Sequence, residues 1–535
     1  NNPAQSTGFE TYVPTTSSPV YLPRVGHHVY NGSAWVNEGI LHESEARTNL
    51  VTESNVFTGL GTSTVTANSG VSPTGETNAV LADTVALSNS NGIGLPTYSV
   101  TAGTSCTVSL YVKNVAGNGF LAFFFRSNSS ANQTKLWFNL NTGEKGTQGA
   151  SGGTTSVSDF GITDAGNGWY RLFVVGVDSS QTSFSSFIFS ATSDNTTARD
   201  ENGEVLIFGA QSEAGATPSS YIPTSGSQVT RAAETLTVPA ANMPWPTPVE
   251  VTGTELVTNG DFSSGTTGWV DGTTYSGALD ASSGKLLITT DSSSGYGSAI
   301  QGVPLVVGKA YRLTGSRRAV SGGNPAIGVS NSAGTVQVVL LSGSASTVTN
   351  DFSVTFVASS TLSLCLFNQS PTNGNSSEFD NISVKEINPL SVSIQMDGRM
   401  TYADNSLTAE VQPYRWQLDN GNYILLGVQT TNTRTGQIAI SQRAAGSGLD
   451  YVSGAIDTYT PDINVPFNVA SRHGSTFING AVDGTALTAN TTPVALPDLS
   501  TTNLELGYIF MGTIGKFRVW SDDLTDTGIA TASAP

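Results

Sequence analysis

Charged side chains are scarce in this chain, and basic ones are the scarcer of the two signs. Among 535 residues there are 22 Lys and Arg against 40 Asp and Glu, a net charge of −18 with only 12% charged residues. A nucleic-acid partner requires clustered Lys and Arg that displace counterions from the phosphates. The adjacent pair Arg317 and Arg318 makes no such cluster, so the composition argues against a nucleic-acid partner.

Long apolar runs and cysteines are also few. No stretch of about 18 apolar residues occurs, so the sequence predicts no membrane-spanning helix. The two cysteines, Cys106 and Cys365, lie inside apolar strand patterns of what look like different modules. We therefore predict that both are small buried hydrophobic residues and that no disulfide joins them.

Sequence signals of catalysis are weak. Of four histidines, three fall in the first 45 residues, and His473 follows a Gly-bounded turn, where a surface residue is a more common role than a general base. No nucleophile elbow, zinc-protease motif or paired-cysteine metal spacing occurs. Glycoside cleavage needs two carboxylates that meet in space, which sequence spacing does not report, and the acids here cluster at turns such as Asp200 and Glu201, where solvation or capping explains them. We predict that the chain is not an enzyme.

What the chain has in quantity is glycine, with 58 residues, and short β-branched or aromatic segments bounded by Gly, Asn or Ser. Such segments are typical of strands in packed antiparallel sheets. The length corresponds to roughly three or four domains. The predicted fold class is all-β, multidomain, with successive antiparallel jelly-roll β-sandwiches. The clearest strands of the first half are Cys106 to Lys113, Phe120 to Arg126, Leu136 to Leu140, Trp169 to Val177, Phe184 to Ser190 and Glu204 to Ala210.

Two phrases bracket a first module. They are GILHESEARTNLV, at 39–51, and FGAQSEAGATPSSYIPTSGSQVTRAAE, at 208–234. Both resemble the beginning and the end of a carbohydrate-binding-like module of bacteriophage tail-fibre and head-spike proteins. The resemblance implies a β-sandwich over 46–232. Residues 1–45 carry four prolines and are predicted to be an extended N-terminal anchoring arm, apart from a turn at Asn31 and Gly32 between two strand-like pieces.

A second pair of phrases, ELVTNGDFSSGTTGWV and SSEFDNISVKEI, bounds residues 253–388. It resembles the first and last strands of xylanase-associated carbohydrate-binding modules. In such modules a structural calcium ion often ties the opening loop to the last strand, and the resemblance places its ligands at Asn259, Asp261 and Asp380. The alternative is an Asx-turn at the opening loop and an Asp facing water at the end of the last strand.

The last part of the chain contains FINGAVDGT, LELG and IGKFRVW. These phrases resemble the laminin-G or concanavalin-like sandwich, and we predict a two-residue hairpin turn at Asn479 and Gly480. A strand from 233–252 resembles one that such a sandwich uses together with residues 389–535. We therefore predict that the second module is inserted into this third sandwich; the alternative is three consecutive domains.

Sugar binding needs an aromatic ring that stacks on the apolar face of a pyranose, with polar groups nearby for its hydroxyls. The alternative for each ring is a place in a hydrophobic core. The candidates are Trp269, Tyr275 and Tyr296 in the second module and Tyr414, Trp416 and Tyr423 in the third.

Together the resemblances imply a phage virion fibre or spike protein that adsorbs to host-surface polysaccharide. They imply a homotrimer attached to other virion proteins through the arm, and a location in the extracellular particle. Two alternatives stay open. One is a structural decoration or tail-tip protein without receptor binding, and the other is a polysaccharide depolymerase.

Overall fold

The computed structural model describes residues 24–30, 33–83, 92–128, 130–246, 255–272, 274–291, 295–306, 309–330, 336–358, 363–387, 390–403, 410–444, 448–493 and 495–535. Antiparallel strands dominate these residues and pack into three β-sandwiches, each with its own hydrophobic core. The predicted fold class is confirmed. In the described parts of the chain, no helix is long and apolar enough to span a membrane.

The described chain begins with a hairpin of two strands, β1 (Arg24–Tyr30) and β2 (Trp35–Glu43). Its second strand pairs with Met511–Trp520 of the third sandwich, with Ile40 opposite Ile514. Residues 24–43 are therefore part of a sheet: β1 and β2 are the two strand-like pieces predicted on either side of Asn31 and Gly32, whereas the assignment of this stretch to the anchoring arm was wrong. The physical reason is that all four prolines of the predicted arm precede Arg24. Residues 1–23, Asn31 and Gly32 lie outside the described residues.

The first sandwich has two six-stranded sheets, in the orders β12-β11-β10-β16-β7-β4 and β13-β14-β9-β17-β6-β5. Its strands are β3 (Arg47–Asn49), β4 (Thr58–Leu60), β5 (Thr64–Val71), β6 (Thr77–Asp83), β7 (Gly92–Gly94), β8 (Tyr98–Ser99), β9 (Cys106–Ala116), β10 (Phe120–Arg126), β11 (Gln133–Asn139), β12 (Glu144–Gln148), β13 (Thr155–Gly166), β14 (Trp169–Asp178), β15 (Ser183–Phe184), β16 (Phe187–Ala191), β17 (Glu204–Ala214) and β18 (Val229–Arg231).

Strand β10 shows why both faces of one sheet are apolar. Successive side chains of a strand point to opposite faces, and Leu121, Phe123 and Phe125 enter the core between the sheets. The intervening Ala122 and Phe124 join a separate apolar cluster on the outer face. The sheet therefore carries an aromatic surface on the side away from its partner sheet.

One strand of the third sandwich, β19 (Leu236–Val238), precedes the second sandwich in the chain. A 3-10 turn at Ala240–Asn242 follows it. The second sandwich then pairs five-stranded sheets in the orders β20-β23-β28-β25-β26 and β21-β22-β29-β24-β27. Its strands are β20 (Val270–Asp271), β21 (Gly277–Asp280), β22 (Leu286–Thr290), β23 (Gly297–Gly302), β24 (Ala310–Ser321), β25 (Pro325–Ser330), β26 (Val336–Leu341), β27 (Asn350–Val357), β28 (Ser363–Asn368) and β29 (Ser376–Ile387).

The two ends of the second sandwich lie together. The Leu256 amide donates to the Val384 carbonyl over 3.1 Å, and the Ile382 amide donates to the Gly260 carbonyl over 2.9 Å. The Glu255 carboxylate accepts hydrogen bonds from the Ser383 hydroxyl and the Val384 amide. Entry and exit of the chain are therefore neighbours, which is the geometry that an inserted unit needs.

The third sandwich combines a seven-stranded sheet, β1-β2-β39-β30-β35-β36-β37, with a six-stranded sheet, β19-β38-β31-β32-β33-β34. A 3-10 turn at Asn432–Arg434 interrupts the series, and a terminal helix, α1 (Thr525–Ala532), ends it. The remaining strands are β30 (Ser391–Tyr402), β31 (Glu410–Asp419), β32 (Asn422–Gln429), β33 (Ile438–Arg443), β34 (Asp450–Ser453), β35 (Asp462–Gly474), β36 (Ile478–Val482), β37 (Thr485–Ala486), β38 (Leu504–Tyr508) and β39 (Met511–Trp520).

Strand β19 reaches this sandwich from before the second one. Leu236 lies opposite Leu506, and Val238 lies opposite Leu504, which is the contact that the insertion hypothesis requires. The sequence analysis did not predict α1, whose Ile529 is fully buried against Ala470 and Ala481.

The hairpin turn predicted at Asn479 and Gly480 is absent, because both residues are buried within β36. Asn479 donates instead to Asp526 of α1 over 2.7 Å. The two-residue turn lies at Asp483 and Gly484, whose φ angles are +46° and +82°, and Val482 pairs with Thr485 across it. The phrase FINGAVDGT contains two turn signals, and the fold uses the second.

A buried ion cluster, here called the joint, connects the first sandwich to the hairpin. It consists of Arg24, Glu43, Ser220, Arg231 and Glu234. Glu43 lies 2.7 Å from Arg24 and 2.8 Å from Arg231, and Arg24 lies 2.8 Å from Glu234. The Ser220 amide and hydroxyl both donate to Glu43. Three of these residues come from the phrase at 208–234 and Glu43 from the phrase at 39–51, so the two phrases meet in space.

Opposite charges dominate the electrostatics of the joint. Burial raises the pKa of the Glu43 carboxyl, but the guanidiniums of Arg231 and Arg24 outweigh it and hold that pKa well below its usual range. Nearby, His42 lies 3.0 Å from the Gly507 carbonyl, and the Ser44 hydroxyl donates to the Phe510 carbonyl over 2.9 Å. The joint therefore ties the first sandwich to the third.

Candidate carbohydrate-binding faces

A pair of tyrosines lies on the outer face of one sheet of the second sandwich. Strand pairing puts Ile300, Cys365 and Phe367 on this face, away from the core. Tyr296 packs on them, with its ring centroid 6.3 Å from that of Phe367, and the Tyr275 ring lies 5.3 Å from the Tyr296 ring. Both tyrosines are half-buried, so they rest on an apolar base and keep part of each ring accessible.

Polar groups surround the tyrosine pair. The Ser298 hydroxyl donates to the Tyr275 carbonyl over 2.7 Å, which fixes the loop that carries this ring. The neighbouring Ser276 hydroxyl donates to Asp271 over 2.9 Å and lies 3.4 Å from Asp291. A rigid aromatic surface next to carboxylates and hydroxyls has the composition of a sugar-binding site.

Three of the predicted aromatic platforms are instead in hydrophobic cores. Trp269 packs against Phe262, and its indole donates to the Asn259 carbonyl. Tyr414 and Trp416 are fully buried, and the Trp416 indole donates to the Thr502 carbonyl. Each ring thus combines apolar packing with one satisfied polar atom, so none of the three can stack on a sugar.

The sixth candidate, Tyr423, lies on the outer face of the six-stranded sheet of the third sandwich. It is half-buried and pairs with Gln417 and Arg443 across the neighbouring strands. Gln417, which pairs with Tyr423, also lines a cleft of about 260 Å³ together with Arg415, Leu418, Asn503 and Glu505. An ion pair of 2.6 Å between Arg415 and Glu505 occupies one wall of this cleft.

The first sandwich carries an aromatic face that the sequence analysis missed. Its members point outward from β10, β11 and β16, and loop residues 192–199 cover one end, where the Trp137 indole donates to the Thr196 carbonyl over 2.8 Å. The buried residues of this cluster are Ala122, Phe124, Trp137, Phe187, Phe189 and Ala191. The spacing of alternate aromatic residues in FLAFFFR and FIFS was the available signal, but the core was the simpler interpretation.

The residues predicted to bind calcium lie in a loop with many internal bonds. The Asn259 side chain donates to the Gly265 and Thr267 carbonyls and accepts the Ser264 amide. One oxygen of Asp261 accepts the Ser263 amide and hydroxyl, as an Asx-turn does. In the described residues, no group of three or more His, Cys, Asp or Glu side chains is placed to hold a metal ion. Asp380 accepts the Asn381 amide, so all three predicted ligands have hydrogen-bond partners within the protein, and the calcium site stays a prediction.

The histidines are placed differently from the expectation. His473 lies within β35 and is fully buried, so its assignment to a surface turn was wrong. Its Nε2 lies 2.9 Å from the Ser471 hydroxyl, and burial lowers its pKa to about 3. Burial and the charge of Arg24 likewise lower the pKa of His27 to about 4. Side chains held neutral and away from solvent have the chemistry of packing groups.

The two cysteines, Cys106 and Cys365, are buried thiols, as predicted.

Comparison with known proteins gives structural likeness only. No protein-family model and no curated protein matches the chain. Among solved structures it is similar to the IT-sialidase CBM40 of Ruminococcus gnavus bound to α2,3-sialyllactose, with 14% identity over 28% of this chain and 83% of that one, at a TM-score of 0.22.

Two further solved structures are similar to parts of the chain. One is the tandem CBM22 domain of Paenibacillus barcinonensis Xyn10C, with 13% identity, 70% and 100% coverage and a TM-score of 0.19. The other is the SAP-like pentraxin of Limulus polyphemus, with 9% identity, 43% and 84% coverage and a TM-score of 0.21. Likenesses at these TM-scores carry no argument about what this chain binds.

Proposed function

We propose that this chain is a non-enzymatic glycan-binding protein of a bacteriophage particle, which attaches the particle to host-surface polysaccharide. The observation that carries the binding part is the pair Tyr275 and Tyr296, half-exposed over Phe367 on an outer sheet face with two carboxylates beside it. Stacking of a pyranose on these rings would supply the apolar contact, and the neighbouring hydroxyl and carboxylate groups would bind its hydroxyls.

The virion part of the proposal is supported by the phrases at 39–51 and 208–234, which resemble phage fibre and spike modules. Residues 1–23, which hold all four prolines of the predicted arm, are the segment that we propose for attachment to other virion proteins, in a trimer. Several weak sugar sites on one particle would raise the effective concentration and so the avidity. Reconstruction of a particle that carries this chain tests the location.

The binding test uses affinity electrophoresis of the full chain in gels that contain arabinoxylan, galactomannan or dextran. We expect at least one of these neutral polysaccharides to retard the protein. The double variant Tyr275→Ala with Tyr296→Ala is expected to bind about tenfold more weakly, because the stacking surface is gone. The control is Tyr451→Ala, which removes an exposed tyrosine of the third sandwich.

Three results would count against this proposal. They are no retardation by any of these polysaccharides, unchanged retardation of the double variant, and equal losses in the double variant and the control. Release of reducing sugar from a bound polysaccharide would contradict the non-enzymatic part and favour a depolymerase.

A further inference from the structure

Three basic side chains lie on the aromatic rings of the outer face of the first sandwich. The Arg126 guanidinium carbon is 4.9 Å from the Phe187 ring centroid, and Lys135 Nζ is 5.3 Å from that of Phe124. The Arg199 guanidinium carbon is 3.5 Å from the Phe189 ring centroid. A cation over a ring face is attracted by the negative charge of that face. The rings therefore hold the basic groups in fixed positions.

Strand register places these groups in adjoining rows. Phe124 lies opposite Lys135 on one side and opposite Phe187 on the other, and Arg126 lies opposite Gln133. The Phe124 and Phe187 rings, 4.7 Å apart, are buried, while Arg126, Gln133 and Lys135 are half-exposed. Solvent thus meets two cations and an amide, and the aromatic rings form their support.

Carboxylates of the described residues do not neutralise these two cations. Within the described ranges, no Asp or Glu lies at ion-pair distance from Arg126 or Lys135, although acids outnumber basic residues 40 to 22 in the chain. Elsewhere in this sandwich Arg47 and Arg231 are paired with carboxylates. Burial lowers the pKa of Arg126, which shows that its charge loses hydration without gaining a counter-ion. The Arg126 guanidinium donates to the Ser185 hydroxyl over 3.4 Å, and its remaining donors can bind an anion.

We propose that Arg126, Gln133 and Lys135 form a binding site for a polysaccharide built of carboxylate-bearing sugars. This inference rests on the proposed glycan-binding function and names the substrate class of a second face. The Arg126 fork can bind a carboxylate through two parallel hydrogen bonds. Lys135 then attracts the next acidic residue of the polymer, and the Gln133 amide can bind a sugar hydroxyl. A polyphosphate chain is disfavoured because it offers no hydroxyl to the Gln133 amide, and because its denser charge would be repelled more strongly than a polyuronate by a protein with a net charge of −18.

The test measures binding of the full chain to immobilised polygalacturonate and to its methyl ester, which has the same backbone without the charge. We expect binding to polygalacturonate, about tenfold or greater weakening on the ester, and weakening between 50 and 500 mM salt because of ionic screening. The double variant Arg126→Gln with Lys135→Gln should lose about tenfold or more in affinity for polygalacturonate.

The matched control, Lys113→Gln with Lys145→Gln, removes the same charge from the same sandwich. Lys113 bonds the Asn167 carbonyl, and Lys145 lies over Phe160, which belongs to the core between the sheets, so this variant should bind as the wild type does. Tyr275→Ala with Tyr296→Ala should also retain polygalacturonate binding. If the wild type binds neutral polysaccharide but not polygalacturonate, the site at Arg126 and Lys135 has failed and the tyrosine site has not. If it binds polygalacturonate but not neutral polysaccharide, the tyrosine site has failed.

The inference is overturned if the wild type ignores polygalacturonate, or if it binds polygalacturonate and the ester equally. It is also overturned if the Arg126 and Lys135 double variant and the Lys113 and Lys145 control lose the same affinity for polygalacturonate. Should the Arg126 and Lys135 variant fail to fold by circular dichroism, competition on the wild type decides. Free galacturonate must then displace the polymer at concentrations at which galactose does not, and equal competition rejects the site. Binding of single-stranded DNA at this face in place of polygalacturonate would reject a sugar as the occupant.

Discussion

The first and second sandwiches differ in how the aromatic rings on their outer sheet faces are covered. Each pairs two antiparallel sheets and carries aromatic rings on the outer face of one of them. In the first sandwich, cations and residues 192–199 cover the rings, whereas Tyr275 and Tyr296 of the second stay partly uncovered. The outer face thus presents positive charge to solvent in the first sandwich and aromatic rings in the second. The side chains on neighbouring strands and loops determine which of the two is exposed.

The two sandwiches also differ in how they are fixed to the chain. The joint ties the first to the hairpin of the third sandwich through buried ion pairs. The second enters and leaves through neighbouring ends at 255–260 and 382–387. We therefore expect the first to share its stability with the third, and the second to fold and unfold by itself.

The largest expected effect comes from the joint. Glu43→Gln removes the carboxylate that compensates Arg231 and should lower the free energy of unfolding of the first and third sandwiches by about 3–5 kcal/mol. The comparison variant, Glu378→Gln, breaks the ion pairs of a buried carboxylate with Arg318 and Lys285 in the second sandwich, whose basic side chains are 37% and 38% exposed, and should cost about 1 kcal/mol or less. Denaturant titration followed by hydrogen exchange of peptides from each sandwich measures both. Equal losses would mean that the joint is no more than a surface pair.

Acid should separate the same two regions. All four histidines lie in the hairpin or the third sandwich, and residues 253–388 contain none. His27 has a pKa of about 4 in the fold, against about 6.5 when unfolded. Between pH 6.5 and pH 4, His27 is protonated in the unfolded chain but stays neutral in the folded protein. Protonation therefore favours the unfolded chain, and stability is lost as the pH falls from 6.5 toward 4. Between pH 6.5 and pH 5 this amounts to about 1.5 kcal/mol.

Hydrogen exchange at pH 7 and pH 5, corrected for intrinsic rates, tests this expectation. Peptides of β1 and β2 should lose protection, those of the second sandwich should lose less, and His27→Gln should reduce the difference. Equal losses in all sandwiches would contradict it.

A smaller effect is expected from calcium at the opening loop of the second sandwich, which stays a prediction. With 1 mM calcium and a dissociation constant of about 10⁻⁴ M, binding would stabilise this sandwich by about 1.4 kcal/mol. EDTA should therefore lower its unfolding temperature by a few degrees and leave the other two unchanged. Asp261→Asn should abolish the response to EDTA, and Asp291→Asn serves as the control. An EDTA effect of zero argues against the ion.

The smallest effect is expected from removing the second sandwich altogether. We propose that 253–388 is an inserted unit, so a chain in which a short Gly-Ser linker replaces these residues should keep the first and third sandwiches within about 0.5 kcal/mol. Denaturant midpoints of the shortened and full chains test this. Loss of the third sandwich would show that β19 depends on the second sandwich, and the insertion proposal would fail.

The bounds of individual strands could be predicted from the sequence better than the pairing of each strand with its neighbours in the sheet. The segment Phe120–Arg126 was predicted with its observed bounds, because alternating apolar residues between turn residues are a local signal. The rows across strands are not local: Phe124 and Phe187 meet only through the pairing of β10 with β16. For this reason the basic aromatic face could not be predicted, although each of its strands could.

Burial was hard to predict wherever a polar atom had a distant partner. Trp416 and Tyr414 were predicted as candidate platforms, but their indole and hydroxyl groups bond Thr502 and Ser471 inside the fold. His473 was placed on the surface because of its glycine neighbour, yet β35 continues through it. Of six predicted aromatic platforms, the structure leaves Tyr275, Tyr296 and Tyr423 partly accessible.

The third sandwich is assembled from three separated pieces of chain, and this sets an order of events during synthesis. The Ser44 hydroxyl bonds a carbonyl 466 residues away, and β2, although it pairs with β1, cannot pair with β39 until Met511–Trp520 has left the ribosome. Contacts of such long separation form slowly, while the two sandwiches in between are complete much earlier. Of the three pieces, the hairpin of β1 and β2 is thus synthesised first and joins its sheet last, and a polypeptide truncated before β39 would leave this hairpin without that sheet.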